Sequence, residues 1–394
     1  MNDMKRLFPA EFVLPGHPDK LCDTIADRLV QEASTHEKRA LVGVEVAVHR
    51  DTVTVTGRIA CEAAHTIDVG RAVRDTFATA GYGYPPPSLC SGDCPARDQG
   101  SCALHPAWMP APRDLKVSQD LCLGPLLDGE TDFRAVSDDQ SIVTGYAVDL
   151  PGTNFLPAEQ WFAAQMARRL ESLRAERLDL RLGPDGKILA LLEEDGDSRR
   201  VTAVTASLQQ QIGGDSIALH RAVLEVLGAQ LAQAAALVPG FSPDIPATTV
   251  VNGAGNFAVG GPEGDNGLSG KKLVCDAYGP RVAIGGGALS GKDFYKADRA
   301  GALLARRLAK LVVMTGGARE CTATLAFFPG DERARVLSLV DGGGAQLDGR
   351  RWEPLLDLSL AGVGDCYTGT TDLTDVARHG HFVAERPWET LTVV

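Results

Sequence analysis

The sequence predicts a mixed fold of α-helices and β-strands, because strand pairs and the helices that follow them recur about three times along its 394 residues. Residues 41–48 place valine at almost every second position, and residues 52–60 continue the alternation after a polar His-Arg-Asp turn. Residues 187–192 and 201–208 form a second such pair around the Asp195-Gly196 turn. A chain of this length can bury substantial cores, and we expect more than one domain-sized unit.

Apolar residues with helical spacing accompany these strands. Leu21, Ile25 and Leu29 recur every four residues after Pro18, a residue that suits the first turn of a helix. Further helices are expected at 66–80, 157–174, 216–237 and 297–314, and further strands at 273–276, 281–284 and 323–328. Residues 82–130 interrupt the rhythm with clustered prolines, glycines and cysteines, which is typical of a lid, an insertion or a linker.

The composition restricts the partners and the location. The formal charge of 39 − 51 = −12 argues against nucleic acid as the main partner. No apolar run is long enough to predict a membrane span, and the first residues do not resemble a signal peptide. We therefore expect a cytoplasmic protein whose thiols stay reduced.

Three of the nine cysteines lie in the proline-rich segment. Cys90, Cys94, Cys102 and His105 are residue types that bind zinc, but their spacing matches no common zinc module. Both a metal site and free thiols stay open for this segment.

Two lysine-containing loops rich in glycine are the most informative feature of the chain. The first Gly-rich loop, residues 260–272, has the sequence Gly-Gly-Pro-Glu-Gly-Asp-Asn-Gly-Leu-Ser-Gly-Lys-Lys. The second Gly-rich loop, residues 285–293, has the sequence Gly-Gly-Gly-Ala-Leu-Ser-Gly-Lys-Asp and precedes Lys296 and Asp298. Glycines let backbone amides approach a ligand, and lysines neutralise a polyanion, so the pair predicts a site for a phosphate chain. It is not a P-loop, because Asp293 rather than a hydroxyl residue follows Lys292.

The amino terminus completes a pattern that resembles a known family. Residues 16–20, Gly-His-Pro-Asp-Lys, together with the two Gly-rich loops, resemble motifs of the methionine adenosyltransferase (S-adenosylmethionine synthetase) family in the correct order. Residues 136–147, 182–187 and 379–389 resemble three more of its segments, so the resemblance covers nearly the whole chain. One family motif, Gly-Asp-Gln-Gly, corresponds to Asp138-Asp139-Gln140-Ser141 in this chain, so both of its glycines are replaced.

The resemblance implies a fold and an assembly. The family fold is α+β, with three similar subdomains related by a pseudo-threefold axis. We expect an amino-terminal subdomain at 8–100, a lid or insertion at 101–130, a central subdomain at 131–245 and a carboxy-terminal subdomain at 246–394. The family's active sites form between two subunits, which implies a homodimer or homotetramer that binds no nucleic acid and no membrane.

The implied reaction is the attack of a thioether sulfur on C5′ of ATP, which expels triphosphate that is then hydrolysed to pyrophosphate and phosphate. No general base is required, so positioning and charge stabilisation must supply the catalysis. The resemblance implies catalytic roles for His17, Lys187, Lys271, Lys292 and Lys296. It also implies ATP contacts for Lys20, Asp185, Phe257, Asp265 and Lys272. Asp19 and Asp298 would hold Mg²⁺, and Glu45 would hold K⁺. Without the resemblance, most of these lysines would be interpreted as solvated charges, Asp298 as a helix cap and Glu45 as a solvent-facing side chain.

The acceptor side of the site departs from the family pattern. Arg58 stands where the family has a glutamate that binds the methionine ammonium, and a guanidinium would repel that group. The residues expected near the acceptor are Arg58, Asp93, Asp139, Asp265 and Lys296. The acceptor is therefore methionine or a methionine-like thioether. Three alternatives stay open: an altered acceptor, a replacement carboxylate from Asp93 or Asp138 paired with Arg58, or an Arg58 that turns away.

Two other functions are compatible with the motifs. The chain could be chiefly a triphosphate hydrolase, because the phosphate side keeps the family pattern better than the acceptor side. It could also be a non-catalytic paralogue that binds ATP.

Overall fold

A computed structural model describes residues 5–83, 108–382 and 386–391. It contains eleven strands and eight α-helices among these residues. The strands are β1 (Arg6–Val13), β2 (Leu41–His49), β3 (Thr52–Ala60), β4 (Lys116–Gly124), β5 (Ser141–Val148), β6 (Leu182–Asp195), β7 (Ser198–Gln210), β8 (Thr248–Val251), β9 (Gly267–Leu268), β10 (Glu320–Phe327) and β11 (Arg335–Asp341). The helices are α1 (Pro18–His36), α2 (Val69–Ala80), α3 (Ala158–Glu176), α4 (Ser216–Leu237), α5 (Leu273–Asp276), α6 (Ala297–Met314), α7 (Leu360–Tyr367) and α8 (Leu373–His379).

The strands form three sheets. Their orders are β1-β6-β7-β8, β11-β10-β5 and β4-β3-β2-β9. Most neighbouring strands are antiparallel, whereas β3 pairs with β4 and β7 pairs with β8 in parallel. The first and third sheets combine strands from distant parts of the chain, since β1 pairs with β6 and β2 pairs with β9.

One long helix covers each sheet. Helix α1 packs on β2, α3 packs on β1 and β6, and α6 packs on β5 and β10. The predicted stripe of α1 is confirmed, because Leu21, Ile25 and Leu29 are completely buried. Three helix-backed sheets agree with the α+β fold expected from the resemblance.

The prediction of a strand at residues 273–276 is wrong. This short apolar segment forms the single helical turn α5, and residues 281–284 contain no strand. A short apolar run cannot be distinguished from a buried helical turn by periodicity alone. Arg281 instead directs its guanidinium to the carboxylates of Glu159 and Glu194.

The interpretation of residues 82–130 also needs a correction within its described part. Lys116–Gly124 is the regular strand β4, which pairs with all of β3. The alternation of polar and apolar residues in this strand was overlooked because it directly follows a proline-rich segment.

No helix in the described residues combines the length and apolar character needed to cross a membrane.

Candidate polyphosphate site

Strand β2 positions both Gly-rich loops. In the first Gly-rich loop, Gly267 and Leu268 form β9 and pair with Val48 and Ala47 of β2. In the second Gly-rich loop, the carbonyl of Gly291 accepts a hydrogen bond of 2.9 Å from the Val44 N–H. The two loops, which are separate in sequence, therefore lie at different points along one strand.

Three aspartates on one face of α1 fix the same loops from the other side. They are four residues apart, which places them one above the other on a helix. Asp19 accepts a hydrogen bond from the Leu268 N–H at 3.0 Å. Asp23 accepts one from Gly270 at 2.7 Å, and Asp27 accepts one from Gly291 at 2.9 Å. Because these acceptors satisfy backbone donors of flexible glycine segments, α1 defines the shape of both loops.

The first cluster of charges lies at the start of α1. We call it the α1 group, and it contains His17, Asp19, Lys187, Asp265, Lys271 and Lys272. The Lys272 ammonium lies 2.8 Å from Asp19, and the Lys271 ammonium lies 3.7 Å from it. Burial opposes ionisation of Asp19, but hydrogen bonds from Lys272 and Leu268 lower its pKa below the usual value. A carboxylate is therefore retained between two lysines.

His17 caps α1 and is neutral at physiological pH. Its Nδ1 accepts a hydrogen bond of 3.2 Å from the Asp19 N–H, which leaves Nε2 as the protonated nitrogen. Burial, followed by the charge of Lys272, lowers the pKa of His17 to about 4. The imidazole can therefore act as a hydrogen-bond donor through Nε2 without carrying a charge.

Asp185 supports the first Gly-rich loop from β6. Its carboxylate accepts a hydrogen bond of 2.7 Å from the Gly261 N–H. Gly261 has a φ of +64°, and a Cβ there would lie 1.9 Å from the Tyr82 hydroxyl, so only glycine fits. Burial raises the pKa of Asp185 to about 6. Asp185 thus holds the loop that contains Asp265.

Three other expected site residues lie around this loop. Lys187 is partly exposed and forms an ion pair of 2.5 Å with Glu11. Asp265 is exposed and accepts a hydrogen bond from the Asn266 N–H. Phe257 is half-buried, with its ring beside Gly260. All three are near enough to the solvent to meet a ligand.

The second cluster of charges lies at the start of α6. We call it the α6 group, and it contains Asp138, Ser141, Lys292, Lys296 and Asp298. Lys292 contacts Asp298, and Lys296 contacts Asp138. The Ser141 hydroxyl donates a hydrogen bond of 2.5 Å to Asp298. A cavity of about 900 Å³ lies beside Ser141 and Asp298 and is bordered by the glycines of the second Gly-rich loop.

Lys20 does not join either group. Its side chain is completely buried and its ammonium contacts Asp276 and the Ala377 carbonyl. Burial opposes its charge, but Asp276 raises the pKa of Lys20 above the usual value. This position does not support the expected contact between Lys20 and ATP, and the pairing with Asp276 indicates a structural role.

Arg58 is occupied by acceptors within its own subunit. Its guanidinium donates to both carboxylate oxygens of Glu130, at 3.1 and 2.8 Å, and to the carbonyls of Cys122 and Pro125. The hydrogen bonds with Arg58 lower the pKa of Glu130. The structure therefore does not support a direct contact between Arg58 and an acceptor, and it does not show the suggested pairing with Asp138.

The carboxylates suit hard cations, and their arrangement limits how a cation could bind. Among the described residues, no three His, Cys, Asp or Glu side chains converge on one metal position. Mg²⁺ commonly uses one or two carboxylates plus substrate phosphates, so Asp19 and Asp298 fit its preference. Glu45 accepts a hydrogen bond of 2.6 Å from Ser269 and lines a cavity of about 240 Å³ together with Thr54 and Thr56. These oxygen atoms fit an alkali cation.

Two further expectations fall outside the described residues. Asp93 lies there, and so do Cys90, Cys94, Cys102 and His105. Asp139 is described and exposed, and its carboxylate accepts a hydrogen bond of 2.7 Å from the Gln140 N–H.

Sequence reasoning missed the partners of the expected residues. Glu11, Glu130 and Asp276 pair with Lys187, Arg58 and Lys20, respectively. These contacts depend on strand pairing and helix packing between distant segments, and no local motif contains them. Asp23 and Asp27 could have been found, because their spacing from Asp19 places them on the same face of α1.

The geometry defines a class of protein in which two Gly-rich loops present lysines beside aspartates, an arrangement that suits an anionic ligand and a cation. Models of the S-adenosylmethionine synthetase amino-terminal and carboxy-terminal domains match residues 5–93 and 259–351. An S-adenosylmethionine synthase of Thermosynechococcus vestitus is 32% identical to the chain over 99% of this chain and 97% of the relative. The chain therefore belongs to the S-adenosylmethionine synthetase family.

Two other relatives also match the chain over most of their own length. S-adenosylmethionine synthase 1 of Rhodospirillum rubrum is 33% identical over 86% of this chain and 82% of the relative. The S-adenosylmethionine synthase of Rhodospirillum centenum is 32% identical over 96% of this chain and 93% of the relative. The similarity therefore extends beyond the two matched domains.

Proposed function

We propose that the protein is a methionine adenosyltransferase that forms S-adenosylmethionine from ATP and methionine and releases pyrophosphate and phosphate. The α1 and α6 groups support this proposal most directly, because they place lysines on two Gly-rich loops that α1 and β2 hold in defined positions. The named activity of the relatives supports the same reaction.

The proposed chemistry is a direct displacement. The lone pair of the methionine sulfur forms a bond to C5′, and the electrons of the C5′–O bond leave with the triphosphate. A thioether has no proton to lose, so no base has to act on it. Stabilising charge on the departing chain is then the main task of the protein.

The lysines supply that stabilisation in the proposal. Lys187, Lys271 and Lys272 act on the triphosphate from the α1 group, Lys292 acts on it from the α6 group, and Lys296 lies between the triphosphate and the acceptor. The neutral His17 donates a hydrogen bond from Nε2 to the ribose or to the oxygen that leaves C5′. When ATP binds, these lysines exchange their present carboxylate partners for phosphate oxygens.

The remaining roles concern orientation and cations. Phe257 stacks on adenine, Asp185 positions the first Gly-rich loop beside the nucleotide, and Asp265 binds nucleotide and acceptor. Asp19 and Asp298 would hold Mg²⁺, and Glu45 would hold K⁺. A divalent cation supplies charge neutralisation for phosphate oxygens.

We further propose a homodimer or homotetramer in which each active site combines the α1 group of one subunit with the α6 group of another. In the described residues, no hydrogen bond or ion pair joins the two groups within one chain. Strands of all three sheets also expose apolar side chains, including Leu7, Ile142 and Leu268. An interface between subunits would cover such residues.

The alternatives receive less support. A triphosphate hydrolase or a non-catalytic ATP-binding protein is not favoured, because the relatives are named as synthases. An altered acceptor was suggested by Arg58, whose charge is instead compensated by Glu130.

A cytoplasmic location is part of the proposal, and the six described cysteines, all free thiols, are compatible with it.

The test is incubation of the purified protein with ATP, Mg²⁺, K⁺ and methionine, with adenosyl products measured by mass spectrometry and phosphate release measured in parallel. The proposal predicts S-adenosylmethionine together with phosphate and pyrophosphate. Phosphate release without an adenosyl product would support the hydrolase, and neither product would support the binding protein.

A further inference from the structure

Asp138 is a carboxylate that this chain adds to the site. It stands where the related motif has glycine, and its carboxylate contacts the ammonium of Lys296. The side chain of Asp138 is 15% exposed, and that of Lys296 is 19% exposed. The two charges therefore form a largely buried ion pair at the amino-terminal end of α6.

One oxygen of this carboxylate has no protein partner in the described residues. Oδ2 contacts Lys296, whereas Oδ1 is buried and accepts no hydrogen bond from any described residue. A buried carboxylate oxygen without a donor is unfavourable unless a ligand or water supplies one. An incoming ammonium group is a suitable donor.

Of the other described charged groups expected near the acceptor, Asp265 is exposed and belongs to the α1 group, whereas Arg58 and Asp139 do not compete with Asp138 for the ammonium. Arg58 has the wrong sign and is held by Glu130. Asp139 is exposed and already accepts a hydrogen bond from the Gln140 N–H. The carboxylate lost at position 58 is thus matched by a carboxylate gained at position 138.

A lysine and an aspartate side by side complement an α-amino acid. The amino acid has a carboxylate and an ammonium on one carbon, so it can place its carboxylate on Lys296 and its ammonium on Asp138. The ligand carboxylate then takes the place of Asp138 on Lys296, the ligand ammonium takes the place of Lys296 on Asp138, and both new contacts are charge-assisted hydrogen bonds. No net charge is buried by the exchange.

We propose that Asp138 and Lys296 together bind the amino-acid head group of the acceptor, with Asp138 as the ammonium-binding residue. This inference rests on the proposed adenosyltransferase function and specifies how the acceptor is recognised. It selects α-amino acids over thioethers that lack the amino group.

The test compares wild type with Asp138→Asn and Asp138→Gly, and uses Asp128→Asn as a control at an exposed position on the preceding segment. Calorimetry measures methionine binding in the presence of a non-reactive ATP analogue. The same proteins are then assayed with methionine and with 4-(methylthio)butanoate, which has the thioether and the carboxylate but no ammonium.

Loss of one hydrogen bond between charged groups should weaken methionine binding by roughly ten- to a hundredfold in both Asp138 variants. The preference for methionine over 4-(methylthio)butanoate should fall by a similar factor, while the KM for ATP changes little. The Asp128→Asn control should behave as wild type.

Unchanged methionine affinity in the Asp138 variants would overturn the inference. A selective decrease in the KM for ATP would also overturn it, because Asp138 would then act only as a counter-ion that competes with phosphate for Lys296. A wild-type protein that binds methionine but forms no adenosyl product would contradict the proposed function and leave the binding comparison interpretable.

Discussion

The carboxylate of Asp23 accepts a hydrogen bond of 2.7 Å from the backbone N–H of Gly270, which connects the middle of α1 to the first Gly-rich loop. Asp23 is buried, and Lys20 and Asp276 lie close to it. The loop that contains Lys271 and Lys272 is therefore anchored by a carboxyl group in the protein interior.

This anchor predicts a pH-dependent stability. Burial raises the pKa of Asp23 from 3.8 to about 8. As the pH rises from about 4 to about 8, the unfolded chain releases this proton whereas the native chain retains it, so stability falls across that window. Asp23→Asn removes the titration. The free energy of unfolding of this variant minus that of wild type, measured in urea, should increase between pH 5 and pH 8, because the wild type loses stability over that range.

A matched variant controls this comparison. Asp75→Asn, at an exposed position of α2, should show no such trend. A constant difference between Asp23→Asn and wild type over the same pH range would show that the Asp23 carboxyl group does not titrate as proposed.

Lys292 should contribute strongly to the chemical step. Lys292→Ala removes a cation that we place on the leaving triphosphate, so kcat should fall by roughly a hundred- to a thousandfold. The measurement is initial-rate formation of S-adenosylmethionine at saturating ATP and methionine. Lys116→Ala, which removes an exposed lysine paired with Asp51, should retain wild-type kcat. A kcat near wild type in Lys292→Ala would remove this lysine from the proposed machinery.

The shared active site can be tested by mixing subunits. His17→Ala alters the α1 group and Lys292→Ala alters the α6 group, and each variant alone should be nearly inactive. If one site combines groups from two subunits, a mixed dimer has one intact site and one site with both substitutions. Random exchange of subunits should then restore about a quarter of wild-type activity. No recovery after exchange, verified with differently tagged subunits, would place both groups of a site in one chain.

The pairing of Arg58 with Glu130 predicts a structural rather than a specificity role. Arg58→Glu and Glu130→Arg should each lower the free energy of unfolding by about 1 kcal/mol or more, because like charges then face each other. The double exchange should recover part of this loss, which urea denaturation measures. Arg58→Glu should also give no gain in kcat/KM with methionine, and a clear gain would restore Arg58 as a specificity residue.

The sequence predicted α1, the two Gly-rich loops and the principal helices, because these features depend on local spacing. It did not predict that Arg58 would pair with Glu130, 72 residues away, since that contact depends on how β3 and the segment after β4 fold together. It also did not predict that Lys20 would be buried against Asp276. The residue types at the site could thus be inferred from motifs, whereas their counter-ions required the tertiary structure.

The central claim is that methionine displaces an intact triphosphate from C5′ of ATP. A single-turnover reaction, with enzyme in excess over ATP, can be quenched at short times and analysed by mass spectrometry and anion chromatography. We predict that S-adenosylmethionine and triphosphate appear together in equal amounts, before pyrophosphate and phosphate accumulate. Phosphate that precedes any S-adenosylmethionine, or a turnover that yields no adenosyl product, would contradict the account.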